Sequence, residues 1–352
     1  MRTAAPSLRR SRGISLVEIL VGLGLGLLVV LAITNGFAAF EGYKRTTTRS
    51  SDAQMNGALA LTFLERDLRL AAYGVADLAA FGCQVRSYNK NRNPPDLNFL
   101  IAPVIITQGA SGAPDAVTVV FGDSDGLTSA VPFRQQSGAS AEYKVDNRAG
   151  FRVGDLVMAV EAGKDCTIAE VTDLPGTPGQ TDVVIHNSGV YKNAMGDMVE
   201  STWNKPSGLG VTYSKGVLYN LGQAPNSNEY RIETGNLVLR EWLGTTGSTP
   251  LPIVAEVVDL QAQYGKDTNN DGVVDIFDEV TPTTPAGWAQ VLAVRIAVVA
   301  RSGQYEKDKV SPPALQLWPG GPTFNPDADA RHYRYRVYGT VIPLRNMIWR
   351  PT

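Results

Sequence analysis

Hydrophobic and polar positions fall into three textures along the chain. From Ile14 to Phe40, ISLVEILVGLGLGLLVVLAITNGFAAF, apolar residues and glycines run on with one charge, Glu18. Ile19 to Phe40 is 22 residues without a charge, about 33 Å as a helix, which is enough to cross a hydrocarbon core. Four arginines and no acid precede it within residues 1–13. That asymmetry predicts a cytoplasmic N-terminus, with everything after Phe40 on the far side of the membrane. A secretory signal peptide has a shorter apolar core and a small-x-small cleavage site. It and a generic anchor are the alternatives, and neither accounts for the acid. A carboxylate in a membrane segment costs roughly 2.5–3.5 kcal/mol at the centre and calls for a partner.

The second texture is amphipathic. In EGYKRTTTRSSDAQMNGALALTFLERDLRLAAY, residues 41–73, Met55, Leu59 and Phe63 recur at four-residue steps, and Leu61, Leu64 and Leu68 broaden the stripe. This predicts that the anchor continues as one helix whose second half packs on a globular domain. Glu65 and Arg69 form an i,i+4 pair, and Gly74 supplies a stop.

Beyond Gly82 the texture breaks into short apolar runs between Gly, Pro, Asn and Ser. Segments 116–122, 155–161, 182–186, 216–222, 230–242 and 291–300 read as strands, and 334–345 alternates again. Thr234-Gly235-Asn236 marks a hairpin. Segments 86–115 and 302–330 read as surface loops. No 20–50-residue repeat is visible. The expected class is α+β, a long N-terminal helix on a mostly antiparallel β domain.

Composition narrows the function. The chain of 352 residues is 43% hydrophobic and 19% charged, with net charge -2. It is globular in composition and lacks the basic stripe of a nucleic-acid binder. His186 and His332 stand alone in sequence, and no HExxH, CxxC, GxSxG or phosphate-binding glycine loop occurs, so an enzyme is not expected. An adhesive or ligand-binding β domain stays open as an alternative. Cys83 and Cys166 lie beyond the anchor, outside the cytoplasm, where a disulfide is expected over two reduced thiols.

The N-terminal pattern resembles the class III signal of type IV prepilins and type II secretion pseudopilins: an arginine-rich leader, Gly13, then Ile14-Ser15-Leu16-Val17-Glu18. The resemblance implies cleavage between Gly13 and Ile14 by a prepilin peptidase, N-methylation of Ile14, and a docking role for Glu18. In that family the acid is thought to pair with the amino terminus of a neighbouring subunit during assembly, a pairing that specifies register more than it adds stability. Ile14 stands where phenylalanine is commoner. Asn35-Gly36 stands where many major pilins bend at a proline.

Three further blocks resemble the PilW-like minor pilins: GDLVMAVEAGKDCTIAEVT (154–172), VLAVRIAVVARSGQYEK (291–307) and RYRVYGTVIPLRN (334–346). The resemblance implies a leader at 1–13, an assembly helix at 14–40, a stalk at 41–74 and a globular domain at 75–352. It also implies a place in the inner membrane and then the pilus. The implied partners are other minor pilins, the major pilin, prepilin peptidase and the inner-membrane platform. The J-type pseudopilin is the neighbouring alternative, though generally shorter.

One motif stands apart. DTNNDGVVDIFDE, Asp267 to Glu279, has the D-x-N-x-D-G-x-x-D spacing of calcium loops. Asp267, Asn269, Asp271, the Val273 carbonyl, Asp275 and Asp278 are the candidate Ca2+ ligands. Asp278 stands where an EF-hand has a bidentate glutamate, with Glu279 one step late. The alternative is an acidic, solvated hairpin turn.

Overall fold

The computed structural model describes residues 13, 15–75, 77–126, 129–135, 141–179, 182–244 and 249–349, without side chains at 38, 39 and 41–51. The leader 1–12 and Ile14 lie outside the described residues. The chain forms two compact units, one ending at Asp52 and the other spanning Ala53–Thr352. The α+β class and the mostly antiparallel sheets are as expected.

One helix runs Leu16–Leu70. It stops four residues before the expected glycine, because Ala72 (φ 62°) and Gly74 (φ 79°) turn the chain. The backbone then docks on the sheets through Ala72 N to Val120 O at 2.8 Å and Gly122 N to Tyr73 O at 2.8 Å. Within the second unit, the buried stripe of the helix is Ala53, Gly57, Ala60, Leu64, Asp67 and Leu68. This corrects the expected stripe: Met55 is 64% and Leu59 is 42% exposed. The reason is close approach. A side chain at Gly57 would collide with the Tyr338 ring, so small residues face the sheet and the larger apolar ones turn outward. Leu64 and Leu68 keep their expected place, and the Glu65–Arg69 ion pair forms.

Among the described residues, three larger sheets and two two-stranded ones make up the β domain. Four strands, Ile276–Asp278, Val257–Lys266, Val291–Arg301 and Tyr335–Pro343, lie side by side in that order, all antiparallel. Val291–Arg301 is apolar on both faces because both are covered. Val294, Ile296 and Val298 enter the main core, while Ala297 and Val299 meet Leu317 and Tyr335 beneath segment 302–330. A five-stranded sheet runs Leu251–Ala255, Asn236–Glu241, Asn226–Glu233, Ala116–Phe121, Val104–Thr107. Its hairpin turns at Thr234-Gly235, both at positive φ, close to the predicted turn.

The third sheet has eight strands, in the order Asp96–Leu100, Gln84–Tyr88, Cys166–Glu170, Leu156–Val160, Gly216–Gly222, Val131–Gln135, Glu142–Val145, Val183–Ile185. Gln84–Tyr88 and Cys166–Glu170 pair in parallel, Val85 opposite Cys166. Segment 86–115 is therefore not a plain loop. It holds most of Gln84–Tyr88 and all of Asp96–Leu100 and Val104–Thr107. Segment 302–330 is irregular as expected, apart from the short pair Leu315–Gln316 and Thr323–Phe324.

Two buried carboxylates lie where the first and second of these sheets meet, and Asp115 bonds across to the Val257–Lys266 strand. Asp115 accepts from Gly109 N and Ala262 N, both at 2.8 Å, and Asp259 accepts from Leu260 N and Gln261 Nε2. Burial pushes Asp259 up to about 6, with nearby Asp115 adding to the rise. The unfolded chain loses this proton near pH 4 and the folded chain only near pH 6. The Asp259 contribution to stability is therefore full below pH 4 and is lost as pH rises through 6. Asp259→Asn, which keeps the acceptor oxygen, is expected to stabilise the protein by about 1–3 kcal/mol at pH 7.5. It should also flatten the pH 4–6 slope in urea unfolding. An unchanged slope would contradict this.

Candidate assembly segment and the domain that grips its helix

At the N-terminal end, the Ser15 carbonyl accepts from Glu18 N at 3.0 Å and Ile19 N at 3.2 Å, opening the helix. Glu18 thus sits in the first turn, where the free amides and helix dipole favour an anion. Leu16–Phe37, 22 residues of mean hydropathy 2.8, are buried nowhere within the chain. Leu23 is 63%, Leu28 67% and Phe37 65% exposed. A surface of this length and apolarity is compatible with a membrane anchor. Gly13, next to the expected cleavage, has open space where a Cβ would be. Its partner in that motif, Ile14, lies outside the described residues.

Three contacts fix the second half of the helix in the domain, and none of them was anticipated. Asp67, 1% exposed, accepts from Asn228 Nδ2 at 2.8 Å, Tyr230 OH at 2.5 Å and Arg66 Nε at 2.8 Å. Gly57 admits Tyr338. Asn346 Nδ2 donates to the Leu70 and Ala71 carbonyls, closing the C-terminal end. A lone acid one residue before Leu68, on the buried side of the stripe, was the only signal in the sequence.

All four gripping side chains, Asn228, Tyr230, Tyr338 and Asn346, fall in one stretch. Residues 219–346 match the family described as PilW, Type IV Pilus-assembly protein W. The match supports a PilW-family type IV pilus protein. No curated protein and no solved structure gives a significant match. The PilW match contains the blocks 291–307 and 334–346 singled out in the sequence, but not 154–172 or the N-terminal motif. It supports a role in type IV pilus assembly, and it covers the part of the domain that holds the helix.

The two cysteines are joined. Cys83 and Cys166 form a disulfide, Cα atoms 6.0 Å apart. It staples the start of Gln84–Tyr88 to its parallel neighbour. A parallel pair cannot be closed by a tight turn and needs a long connection, so the covalent link pins a register that the local sequence leaves open.

The acidic loop follows Lys266 directly. Asp267 accepts from Asn270 N at 2.6 Å, Asp271 N at 3.2 Å and Gly272 N at 2.7 Å. Asn269 Oδ1 accepts from Asp271 N, and Asp271 from Val273 N. Asp275 accepts from the Thr268 hydroxyl and amide at 2.7 Å, which hold its carboxyl below the usual range. Asn270 and Gly272 take positive φ. Asp278 is in the returning strand, bound by Lys266 Nζ at 2.6 Å. Among the described residues, no three His, Cys, Asp or Glu side chains gather as a metal centre.

Proposed function

We propose that the chain is a minor pilin that enters a priming or tip complex of a type IV pilus, after cleavage between Gly13 and Ile14 and N-methylation of Ile14. The carrying observation is the combination of an unburied 22-residue apolar helix, bearing Glu18 in its first turn, with a PilW-family domain. The helix lies first in the inner membrane, with its N-terminus cytoplasmic and the domain periplasmic. Prepilin peptidase, the inner-membrane platform, other minor pilins and the major pilin are its partners on this reading. Its role is structural, without catalysis.

Glu18 then offers its charge to the new amino terminus of a neighbour, which lowers the cost of burying either group in lipid. Glu18→Ala is expected to be processed normally yet to reduce pilus number about tenfold or more, since an unpaired charge would remain in the membrane. The N-terminal mass of the native protein and fibre counts check both parts. An uncut leader, or wild-type fibre counts in the variant, would sink the reading.

The same reading includes calcium in the acidic loop. Asp267, Asn269, Asp271, the Val273 carbonyl and Asp275 would exchange their present partners for the ion, with Asp278 left on Lys266. Millimolar calcium is expected to raise the melting temperature of the full chain, and to do so less in Asp271→Ala. An equal rise in both, or none, removes the metal.

A further inference from the structure

The eight-stranded sheet curls back on itself. Its last strand, Val183–Ile185, meets the chain just beyond Cys166–Glu170, with Thr172 N to Ile185 O at 2.8 Å and Ile185 N to Asp173 O at 3.0 Å. The curl encloses its own core, built from Phe133, Tyr143, Val157, Val171, Val184 and Leu218. Closure is incomplete, because Cys166–Glu170 and Val183–Ile185 do not pair with each other. At this gap lies a cavity of about 1190 Å³.

Segment 203–212 borders the gap, and both its ends are locked. Asn204 Nδ2 donates to Glu170 O at 2.8 Å and Asn187 O at 3.0 Å, while its Oδ1 accepts from Glu170 N at 2.8 Å. At the other end the Tyr213 hydroxyl donates to Asp165 O at 2.8 Å and lies 3.0 Å from Thr167 Oγ1. The residues between are irregular and largely exposed, with Gly208 and Gly210 at positive φ. A short irregular segment fixed firmly at both ends over a barrel-like gap is a placement that ligand sites favour.

The lining chemistry narrows the ligand. Asn187, Ser188, Ser207 and Thr212 bring amide and hydroxyl groups, beside apolar Leu209 and Val211. Charges are few and already engaged: the Lys205 ammonium pairs with Asp96 at 2.7 Å. His186, stacked on Tyr143 with centroids 4.6 Å apart, is uncharged at neutral pH because burial lowers it to about 4. Among the described residues of the lining, a phosphate chain would meet Lys205 as its one lysine or arginine, already paired with Asp96. A ligand dense in hydroxyls, and offering apolar ring faces, would meet matching groups.

We propose that this gap binds a short neutral oligosaccharide. The site is confined to the β domain and stands apart from the pilus reading.

The test uses the full chain in lipid nanodiscs, titrated calorimetrically with chitotriose and with maltotriose. Ser188→Trp and Ser207→Trp place bulk in the gap from exposed positions, and Asn325→Trp, away from it, is the control. Saturable binding of at least one trisaccharide is expected, weakened about tenfold or more in both gap variants and unchanged in the control. Absence of saturable binding to either sugar overturns the proposal, as does equal affinity in the gap variants. Displacement of the sugar by a dT10 oligonucleotide would overturn the neutral-ligand assignment.

Discussion

Asp67→Ala is expected to destabilise the β domain by about 3–5 kcal/mol, the largest effect of any single substitution in the helix. The carboxylate is 1% exposed and receives three donors from two elements. Its removal leaves the Tyr230 hydroxyl and the Asn228 amide buried without acceptor, each at about 1–3 kcal/mol. Asp67→Asn keeps one acceptor oxygen and should recover part of the loss. Urea unfolding of the full chain in micelles, followed by tryptophan fluorescence, measures both. If alanine costs under about 1 kcal/mol, the helix is held by packing at Gly57 and Leu64 instead.

Replacing Cys83 and Cys166 together by alanine is expected to cost about 4.5 kcal/mol, from the loop-closure entropy of a link spanning 83 positions. The effect should appear in the eight-stranded sheet first. Amide exchange in Gln84–Tyr88 and Asp96–Leu100 should accelerate more than in Val291–Arg301, whose neighbours on both sides are long antiparallel strands. Uniform acceleration throughout would show that the link stabilises the domain as a whole and has no special hold on the parallel pair.

These two effects differ in how far the sequence foretold them. The disulfide was readable because only two cysteines exist and the expected anchor would put both outside the cytoplasm. Asp67 was not, since a helical acid among leucines looks like a solvated position until the sheet across from it is known. The expected Met55 and Leu59 stripe failed for a related reason. Hydrophobic periodicity weights large side chains, while the contact is made by Ala53, Gly57 and Ala60, which allow close approach. Gly13, Ile14 and Glu18 form a purely local pattern, so the expectation they raise needs no fold to be stated, and the N-terminal mass is what tests it.

Strands were legible where apolar residues were dense, as in 216–222 and 291–300. They were missed in Gln84–Tyr88 and Asp96–Leu100, where Asn, Pro and Arg interrupt and buried positions alternate with exposed ones. The curl of the eight-stranded sheet depends on Ile185 meeting Asp173 across a long excursion. No periodicity within either segment encodes such a meeting, so the gap beside it was invisible before the fold.

The staple between Cys83 and Cys166 also redirects mechanical force. A pull on the N-terminal helix that is resisted further along the chain travels through the backbone to Cys83, then crosses the sulfur bridge to Cys166. Residues 84–165 are shunted out of the tensile path. They would otherwise yield roughly 280 Å of slack at about 3.4 Å per residue. Between the end of the helix and the bridge, the slack left is the short stretch from Leu70 to Cys83, and that stretch is itself docked to Val120 and Gly122.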